Sequence, residues 1–382
     1  MKITKSILLL GMATFMGACS NDNEVVPTPD TDTPGVDSPE PSEFAIQLGS
    51  GRTNASTRAA ISDDGSGTIK NLAVWCLAKD VMQENLDPQA IRWFGNQPEN
   101  KTCCIMNNVK STVNANAVTW DDVNARYYYP VSQFYRYEFY ANYPYTANVT
   151  YTPTSVAANY TIDGTQDLIW GRATSDAAYA WSAKYFRVNG GQTEENRPML
   201  KLEHLLTRLV FHIQPGAAVD IPGADESELD FAAASSMRVD TLQICDAYTR
   251  LTVNVADFNN LNMSIGNRVT RTNNLTDTLY LKDENGATVS PIQVPALPSL
   301  KTQWGESVML FPSDSYIVRM VLYDAIGRRF VTEIPLTLAN QPTGFERGKS
   351  YNITITVHGP TEVTLGAQLT PWEDVEGPDL NL

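Results

Sequence analysis

The sequence predicts an all-β protein built from β-sandwiches. Almost every periodic stretch alternates apolar and polar residues, which is the period of a strand, and almost none has the spacing of a helix. Turn-forming residues separate these stretches at intervals of about eight to fifteen residues, as in sandwich folds. The chain has 382 residues, which is enough for two ordinary domains after a leader.

The chain begins with the pattern of a signal peptide, predicted over residues 1–18. Lys2 and Lys5 precede the apolar stretch ILLLGMATFMG, which is too short to span a bilayer as a mature helix. The MGAC sequence that ends at Cys19 is similar to a bacterial lipobox, although Met16 stands where leucine is usual. This similarity implies cleavage before Cys19 and attachment of acyl chains such as palmitate, which would anchor the protein in a membrane leaflet. An ordinary secretory cysteine is the alternative.

Residues 19–42 are predicted to form a disordered, extended tether. No Lys or Arg occurs between Ser20 and Gly51, and acidic residues and prolines are frequent there, so the segment cannot bury enough apolar surface to fold. The formal net charge of the whole chain is -15. This charge argues against nucleic acid or an anionic lipid surface as the partner.

The first strand of the body is predicted directly after the tether. Phe44, Ile46 and Leu48 alternate with shorter or polar residues, which indicates a half-buried strand. A polar stretch rich in Gly, Ser and Thr follows, and it carries Arg52 and Arg58. A loop of this composition is open to an arginine-specific protease.

Strands are predicted along the rest of the chain as well. TIKNLAVWCLAK is apolar on both faces, which is typical of a strand in the middle of a sandwich. In SQFYRYEFYANYPY, tyrosines and Phe139 face one side while Arg136 and Glu138 face the other, so we expect an amphipathic strand. Cross-strand packing explains these aromatic residues better than a sugar-stacking surface. Further strands are predicted in EHLLTRLVFHIQP, SMRVDTLQICDAY, RLTVNVADF, DTLYLK, SYIVRMVLYDAIGRRFVTEIPL, with a hairpin turn at DAIGRR, and SYNITITVHG.

A boundary between two domains is predicted at VNGGQTEENRPM, residues 188–199, where Gly, Asn and charge replace the strand pattern. The prediction is an amino-terminal sandwich over residues 43–195 and a carboxyl-terminal sandwich over residues 196–382. No repeat of solenoid or propeller period is visible.

No catalytic or metal-binding pattern occurs in the sequence. The three histidines are His204, His212 and His358, and no third ligand stands near the first two. Neither HExxH nor GxSxG is present, and the glycines of the polar loops lack the strand-to-helix context of a phosphate site. Carboxylates are numerous, but nothing singles out a catalytic pair. We therefore expect no enzymatic activity, no cofactor and no metal site.

The four cysteines after Cys19 are expected to be buried thiols. Cys103 and Cys104 are adjacent, and a bridge between neighbours needs a strained ring. A bridge from Cys76 to one of these two cysteines is the alternative. Cys245 has no evident partner in the sequence.

The succession of these features resembles the fimbrillins, the type V pilins of anaerobic Gram-negative bacteria. Each motif alone is loose, but their order covers essentially the whole chain. After the lipobox and the acidic tether, the motifs are TRA at Thr57–Ala59, IKNLAVWCLAKD, YYYPVSQFYRYEFYANYPY, DLIWGRA at Asp167–Ala173, LEHLLTRLVFHI, GKSYNITITVHG and LTPWEDVEG.

The resemblance implies two tandem transthyretin-like β-sandwich domains and export to the cell surface as an outer-membrane lipoprotein. It further implies that an arginine-specific protease removes the first strand of the amino-terminal domain. A strand from a neighbouring pilin subunit then replaces it, and the polymer is a fimbrium that serves adhesion to a host protein or glycan. Stalk, anchor and tip subunits share this architecture, and the presence of both a removable strand and a donor favours a stalk or minor accessory subunit.

According to this resemblance, Phe44, Ile46 and Leu48 form the displaced strand. Cleavage is expected at Arg58, which matches the Thr-Arg-Ala stretch, or at Arg52, which is closer to the strand. Exposing three large apolar side chains costs about 1.5–3 kcal/mol each, so the cleaved subunit needs a replacement strand. The alternative is that both arginines simply lie on a solvated loop.

The donor strand is expected at the carboxyl end. Val363, Leu365, Ala367 and Leu369 share one face of an alternating stretch after a Gly-Pro turn. Two interpretations stay open for this stretch. It is either the donor or merely the last strand of the second domain, hairpinned to residues 350–358, and both can hold if the short tail EDVEGPDLNL does the exchanging.

A second hypothesis is a surface-anchored lipoprotein that binds glycan or protein and never polymerises. It shares the leader, the tether and the sandwiches. It would make exposed aromatic residues such as Trp93, Trp120 and Trp181 the contact residues, although tryptophans more often fill cores.

Overall fold

The computed structural model describes residues 38–52, 68–82, 85, 87, 89, 91–94, 103–114, 117–219, 222–338, 343–359 and 362–370. It is 51% strand and 8% helix, so the prediction of an all-β fold is confirmed. Among the described residues, no helix is both long enough and apolar enough to cross a membrane.

Most strands lie where alternation predicts them. In chain order they are β1 Ser38–Ala45, β2 Leu48–Arg52, β3 Ile69–Val81, β4 Cys104–Asn114, β5 Ala117–Trp120, β6 Tyr128–Val131, β7 Tyr135–Tyr143, β8 Val149–Tyr151, β9 Ser155–Thr161, β10 Ile169–Ala173, β11 Met199–His204, β12 Thr207–Pro215, β13 Arg238–Ala247, β14 Arg250–Asp257, β15 Val269–Arg271, β16 Asp277–Tyr280, β17 Ile292–Gln293, β18 Thr302–Gln303, β19 Val308–Leu310, β20 Ser315–Tyr323, β21 Arg329–Thr337, β22 Ser350–Val357 and β23 Val363–Thr370. The described helices are α1 Ala183–Val188, α2 Ala232–Ser235 and the 3₁₀ turns Glu226–Glu228, Phe258–Asn260, Ile265–Asn267 and Pro298–Leu300.

The first part of the chain forms a closed sheet in the order β10-β11-β2-β5-β4-β3-β7. As predicted, β3 is buried on both faces, because every side chain from Leu72 to Ala78 is inaccessible. The prediction for β7 is wrong in one respect, since most of its polar face is also buried, while Arg136 is half-buried. Glu138 and Asn142 lie inside the protein, and the physical reason is that Arg172 on β10 neutralises the carboxylate of Glu138.

The remaining strands form three larger sheets and one small one. The orders are β18-β12-β22-β23 with β19 on β12, β16-β13-β20-β21 with β17 on β13, β15-β14-β9-β8, and the pair β1-β6. Among the described residues, buried apolar side chains form two clusters, one centred on the closed sheet and one between the sheets that contain β12 and β13. The hairpin predicted at DAIGRR is present between β20 and β21.

Two strands that follow residue 195 pair with strands that precede it. In β11, Met199 lies opposite Gly49 of β2, and in β14, Arg250 lies opposite Thr161 of β9. The sheets therefore interleave across the predicted boundary. The division into domains at 43–195 and 196–382, and the transthyretin-like form of each domain, stay predictions.

Several predicted features fall outside the described residues. These are the signal peptide at 1–18, the lipidated Cys19, most of the tether and the cleavage site at Arg58. The predicted tether ends at residue 42, whereas β1 already begins at Ser38.

Candidate functional site

β2 closes the seven-stranded sheet. It runs parallel to β11, with Gly49 opposite Met199 and Arg52 opposite Leu202. On its other side it runs antiparallel to β5, where Leu48 lies opposite Val118. Because β2 pairs on both sides, its withdrawal would open the closed sheet and leave an unpaired edge on β11 and another on β5.

The chain just before and within β2 is anchored in the core. Ile46 is 6% exposed and Leu48 is 2% exposed, and both belong to the apolar cluster of the closed sheet. The N–H of Ile46 donates to the carbonyl of Tyr127 over 2.8 Å. The hydroxyl of Tyr129 donates to the carbonyl of Gln47 over 2.9 Å. This segment therefore behaves as part of the folded interior.

Gly49 packs closely against the end of the Met199 side chain. Its N–H donates to the carbonyl of Pro198 over 2.9 Å. A Cβ placed on Gly49 would lie 2.1 Å from the sulfur of Met199 and 3.2 Å from Nε of Arg197. Even a methyl group would have to displace the Met199 side chain, and a branched side chain would have to displace Arg197 as well.

β1 is attached by an irregular ladder and by side-chain contacts. Among the described strands it pairs with β6 alone, and its register is irregular between Ser38 and Ala45. Prolines on both strands lack the N–H that a regular ladder needs. Phe44 packs on Phe186 of α1 with ring centroids 5.6 Å apart. Loss of these side-chain contacts would leave β1 weakly bound.

The structure of the predicted displaced strand differs from the prediction in two respects. Phe44, Ile46 and Leu48 do not lie on one continuous strand, because the chain leaves the ladder at Ile46 and Gln47 to form the hydrogen bonds with Tyr127 and Tyr129. Arg52 does not lie on a loop, because it is the last residue of β2. A protease would first have to separate Arg52 from its neighbouring strand, whereas Arg58 lies outside the described residues.

The predicted donor stretch forms the edge strand β23. It pairs antiparallel with β22 over its full length, from Val363 opposite Val357 to Thr370 opposite Ser350. Val363, Leu365 and Ala367 are half-buried against the second apolar cluster. Leu369 is 45% exposed. The hairpin interpretation thus describes this strand in the present state, and the donor role stays a prediction.

A buried ionic network supports the closed sheet from β7 and β10. The carboxylate of Glu138 accepts hydrogen bonds from Nη2 and Nε of Arg172 over 2.6 and 2.8 Å and from the hydroxyl of Tyr140 over 2.5 Å. Lys79 lies 3.5 Å away. Burial raises the pKa of Glu138, but the hydrogen bonds and charge of Arg172 outweigh burial and lower it overall. A carboxylate held in this way stays ionised and serves the structure.

The described residues contain no group of three or more His, Cys, Asp or Glu placed to hold a metal ion. His204 on β11 contacts the carboxylate of Asp167. His212 lies on β12, and Nδ1 of His358 lies 3.1 Å from the carbonyl oxygen of Ala217.

The tryptophans that the binding hypothesis needs are not free on the surface. Trp93 is 1% exposed and donates to the carbonyl of Ala78 over 2.6 Å. Trp181 is also buried, and Trp120 is half-buried against Tyr127. These side chains stabilise the core, so the hypothesis of a non-polymerising binding protein loses its candidate contact residues.

Cys76, Cys103 and Cys245 are buried as expected, whereas Cys104 is half-buried. Cys76, Cys104 and Cys245 carry free thiols, so neither bridge considered for Cys76 is formed. Burial raises the pKa of Cys76 well above its ordinary value and that of Cys104 to about 12. Thiols of this kind are inert.

Comparison with known protein families gives one match to this chain. A family model described as fimbrillin-like matches residues 78–372. No curated protein matches the chain significantly.

Solved structures give distant matches. A proposed cell adhesion protein from Bacteroides uniformis is 16% identical, with a TM-score of 0.45 over 86% of this chain and 98% of that one. Another from Bacteroides eggerthii is 14% identical, with a TM-score of 0.45 over 88% and 98%. The fimbrial anchor protein Mfa2 from Porphyromonas gingivalis is 8% identical, with a TM-score of 0.36 over 85% and 98%. Because the family model matches most of the length of this chain, the chain belongs to the fimbrillin-like family.

Proposed function

We propose that this protein is a structural pilin subunit of cell-surface fimbriae that serves adhesion. Membership of the fimbrillin-like family supports the fimbrial role and the location at the cell surface. In the proposed pathway the precursor is exported as an outer-membrane lipoprotein through Cys19, trimmed by an arginine-specific protease and polymerised by strand exchange. Each sandwich would be transthyretin-like, as the family resemblance implies.

The single observation that carries the proposal is the position of β2. This strand closes the sheet between β11 and β5, and the chain leaves it at Arg52 towards the segment that contains Arg58. A cut in that segment would separate β1 and β2 covalently from the rest of the protein. After the cut, β2 would be held in the closed sheet by noncovalent contacts alone and could be removed.

Removal of β2 makes a replacement strand necessary. Ile46 and Leu48 are buried, and each contributes about 1.5–3 kcal/mol by its burial. The vacated position also leaves backbone donors and acceptors of β11 and β5 unpaired. A strand from another subunit satisfies both needs at once, because strand addition supplies ladder hydrogen bonds together with side chains for the pockets.

The carboxyl end offers a donor that is less strongly held. β23 is the last strand of its sheet order, and its apolar face is only half-buried. It therefore loses less on detachment than β2, whose Leu48 is enclosed. A chain with both a removable strand and a donor is suited to the stalk or to an accessory position in a fimbrium.

Protease treatment of the purified precursor tests this proposal. We expect one cut at Arg58 or Arg52, identified from the new amino terminus by mass spectrometry, followed by ladders of assembled subunits that resist mild detergent. The substitution Arg58→Lys, Arg52→Lys or both assigns the site, because lysine keeps the charge but is not cleaved by an arginine-specific enzyme.

The matched control is Arg126→Lys, which changes an arginine on the loop between β5 and β6. It should be cleaved and should assemble like the wild type. A folded precursor that stays intact, or cleaved subunits that stay monomeric, would contradict the proposal. Labelling with palmitate, present in the wild type and lost in Cys19→Ser, tests the lipoprotein part separately.

A further inference from the structure

Gly366 has no structural reason to be glycine in the place where it lies. It is exposed in the middle of β23, opposite Thr354 of β22. A Cβ added there would meet no atom within 4 Å, and Gly366 is not among the glycines with positive φ. Glycine weakens the interior of a strand because it adds backbone entropy to the unfolded chain and no packing. The residue is therefore unexplained by the hairpin that contains it.

Gly49 in β2 lies in a buried and closely packed environment, unlike Gly366. It is buried, and a Cβ would lie 2.1 Å from the sulfur of Met199 and 2.9 Å from its terminal methyl group. The next residue, Ser50, is small and 8% exposed. Two successive small residues therefore lie buried at this point of the closed sheet.

The sequences around these two glycines match position by position. Residues 46–50 are IQLGS and residues 363–367 are VTLGA. Each has a β-branched aliphatic residue, a polar residue, leucine, glycine and a small residue in the same order. The second residue is exposed in both places, as Gln47 and as Thr364.

From this match we infer that β23 of a second copy of this chain replaces β2 in one register, with Leu365 in the position of Leu48 and Gly366 beneath Met199. The inference rests on the proposed strand exchange and adds its partner and its alignment. Val363 then takes the position of Ile46, and Ala367 takes that of Ser50. Gly366 is glycine because the exchanged state, rather than the hairpin, requires it.

The groove rejects the other registers that keep the apolar face inward. A shift by two residues in one direction puts Leu365 in the place of Ser50 and Thr364 against Met199. The opposite shift puts Ala367 in the place of Leu48, which leaves a cavity, and Gln368 against Met199. Met199 thus acts as the residue that selects the register of the incoming strand.

A peptide assay tests the register without requiring whole subunits to assemble. Cleaved subunits are incubated with a fluorescent peptide of residues 362–370, and binding is measured by anisotropy as the original amino-terminal fragment is released. The peptide with Gly366→Val should bind about tenfold or more weakly, because valine overpacks the site beneath Met199. In the matched control peptide, Thr364→Val places a valine on the same face two residues away. This peptide should bind within about twofold of the wild type.

A compensating change in the acceptor makes the test specific. Met199→Ala removes the side chain that a Cβ at this point would displace, so it should restore part of the binding of the Gly366→Val peptide, while the contact with Arg197 limits the recovery. Full-length precursors carrying Gly366→Val should unfold at the same denaturant concentration as the wild type or a higher one, because position 366 is open in β23. Their assembly after cleavage should nevertheless be lost.

The possible results distinguish failure of the proposed register from failure of the proposed polymerisation. If the wild-type peptide binds and the valine peptide binds equally well, the register is overturned while strand exchange stands. If the wild-type peptide binds in the expected pattern but cleaved subunits do not polymerise, the register stands and the polymerisation proposal fails. Failure of the wild-type peptide to bind cleaved subunits would overturn both.

Discussion

Glu43 of β1 and Arg187 of α1 form a two-point ion pair. Nε and Nη2 of Arg187 each donate to one carboxylate oxygen of Glu43 over 2.6 Å. The adjacent Phe44 packs on Phe186 of the same helix. The ladder between β1 and β6 is irregular, and its prolines have no N–H to donate. These two side-chain contacts therefore help to hold β1 on the body of the protein.

Weakening this ion pair should speed the release of β1 after cleavage. The hydrogen bonds from Arg187 lower the pKa of Glu43 below 4.5, so the pair is present at neutral pH and is lost as the pH falls through the lowered pKa. The side chains are 45% and 35% exposed, so the pair stabilises β1 by at most about 1 kcal/mol. We expect Glu43→Gln to speed release by up to about fivefold, measured as dissociation of the cleaved fragment.

Glu284→Gln, which changes an exposed acid on a distant turn, serves as the control and should not affect release. High salt should reduce the difference between Glu43→Gln and the wild type. Identical release rates for the two proteins at neutral pH and low salt would show that the ion pair does not hold β1.

Leu48 should contribute strongly to the stability of the uncleaved precursor. The side chain is 2% exposed, so Leu48→Ala leaves a cavity between β2 and the core and should lower the free energy of unfolding by about 2–5 kcal/mol. Gln47→Ala is the matched control, because that side chain is exposed and only its backbone carbonyl binds Tyr129. It should change stability by no more than about 0.5 kcal/mol. Urea denaturation measures both, and equal midpoints for the two variants would contradict the burial of β2.

The network around Glu138 predicts sensitivity to acid. The pKa of Glu138 is lowered in the folded protein, so its stabilising contribution is present above the ordinary value of 4.5 and is lost as the pH falls through the lowered pKa. Glu138→Gln leaves Arg172 without its buried counter-charge and should cost about 3–5 kcal/mol at pH 7. The difference from the wild type should shrink in acid, as measured by denaturation at several pH values, and a difference that stayed constant with pH would exclude this role.

The buried cysteines should resist alkylation in the native protein. Cys76 is inaccessible, and burial raises the pKa of Cys104 to about 12, so few thiolates are available at pH 8. Iodoacetamide should modify Cys76 and Cys104 only after unfolding, with no reductant needed, as mass spectrometry of the peptides would report. A requirement for reductant would instead indicate a bridge.

The sequence predicts the burial of the amino-terminal strand but not its shape. Alternation at Ile46 and Leu48 indicates an inward face, and both residues are in the core. The break in the strand could not be predicted, because it depends on Tyr129, whose hydroxyl binds a carbonyl 82 residues away. Pro39 and Pro41 are typical of a tether, yet the residues around them lie in β1 because β6 offers a partner.

Long-range partners also explain the other differences. Glu138 has the charge of a surface residue, and its burial depends on Arg172, which is 34 residues away. The pairing of β14 with β9 crosses a stretch that has all the local signals of a domain boundary. Gly49 gave no sign of its importance locally, since only the fold brings Met199 above it, although the repeated Leu-Gly at 365–366 could have suggested a relation between the two strands.

Hydrogen exchange before and after arginine-specific cleavage shows whether β2 occupies a replaceable position in the closed sheet. In the proposed pathway, β2 fills a position between β11 and β5 that is emptied by proteolysis and refilled from another subunit. We expect the amides of β11 and β5 to be protected from exchange in the precursor, to lose protection when the amino-terminal fragment departs, and to regain it in the polymer. Protection of both strands that remains unchanged after the fragment has left would contradict this pathway.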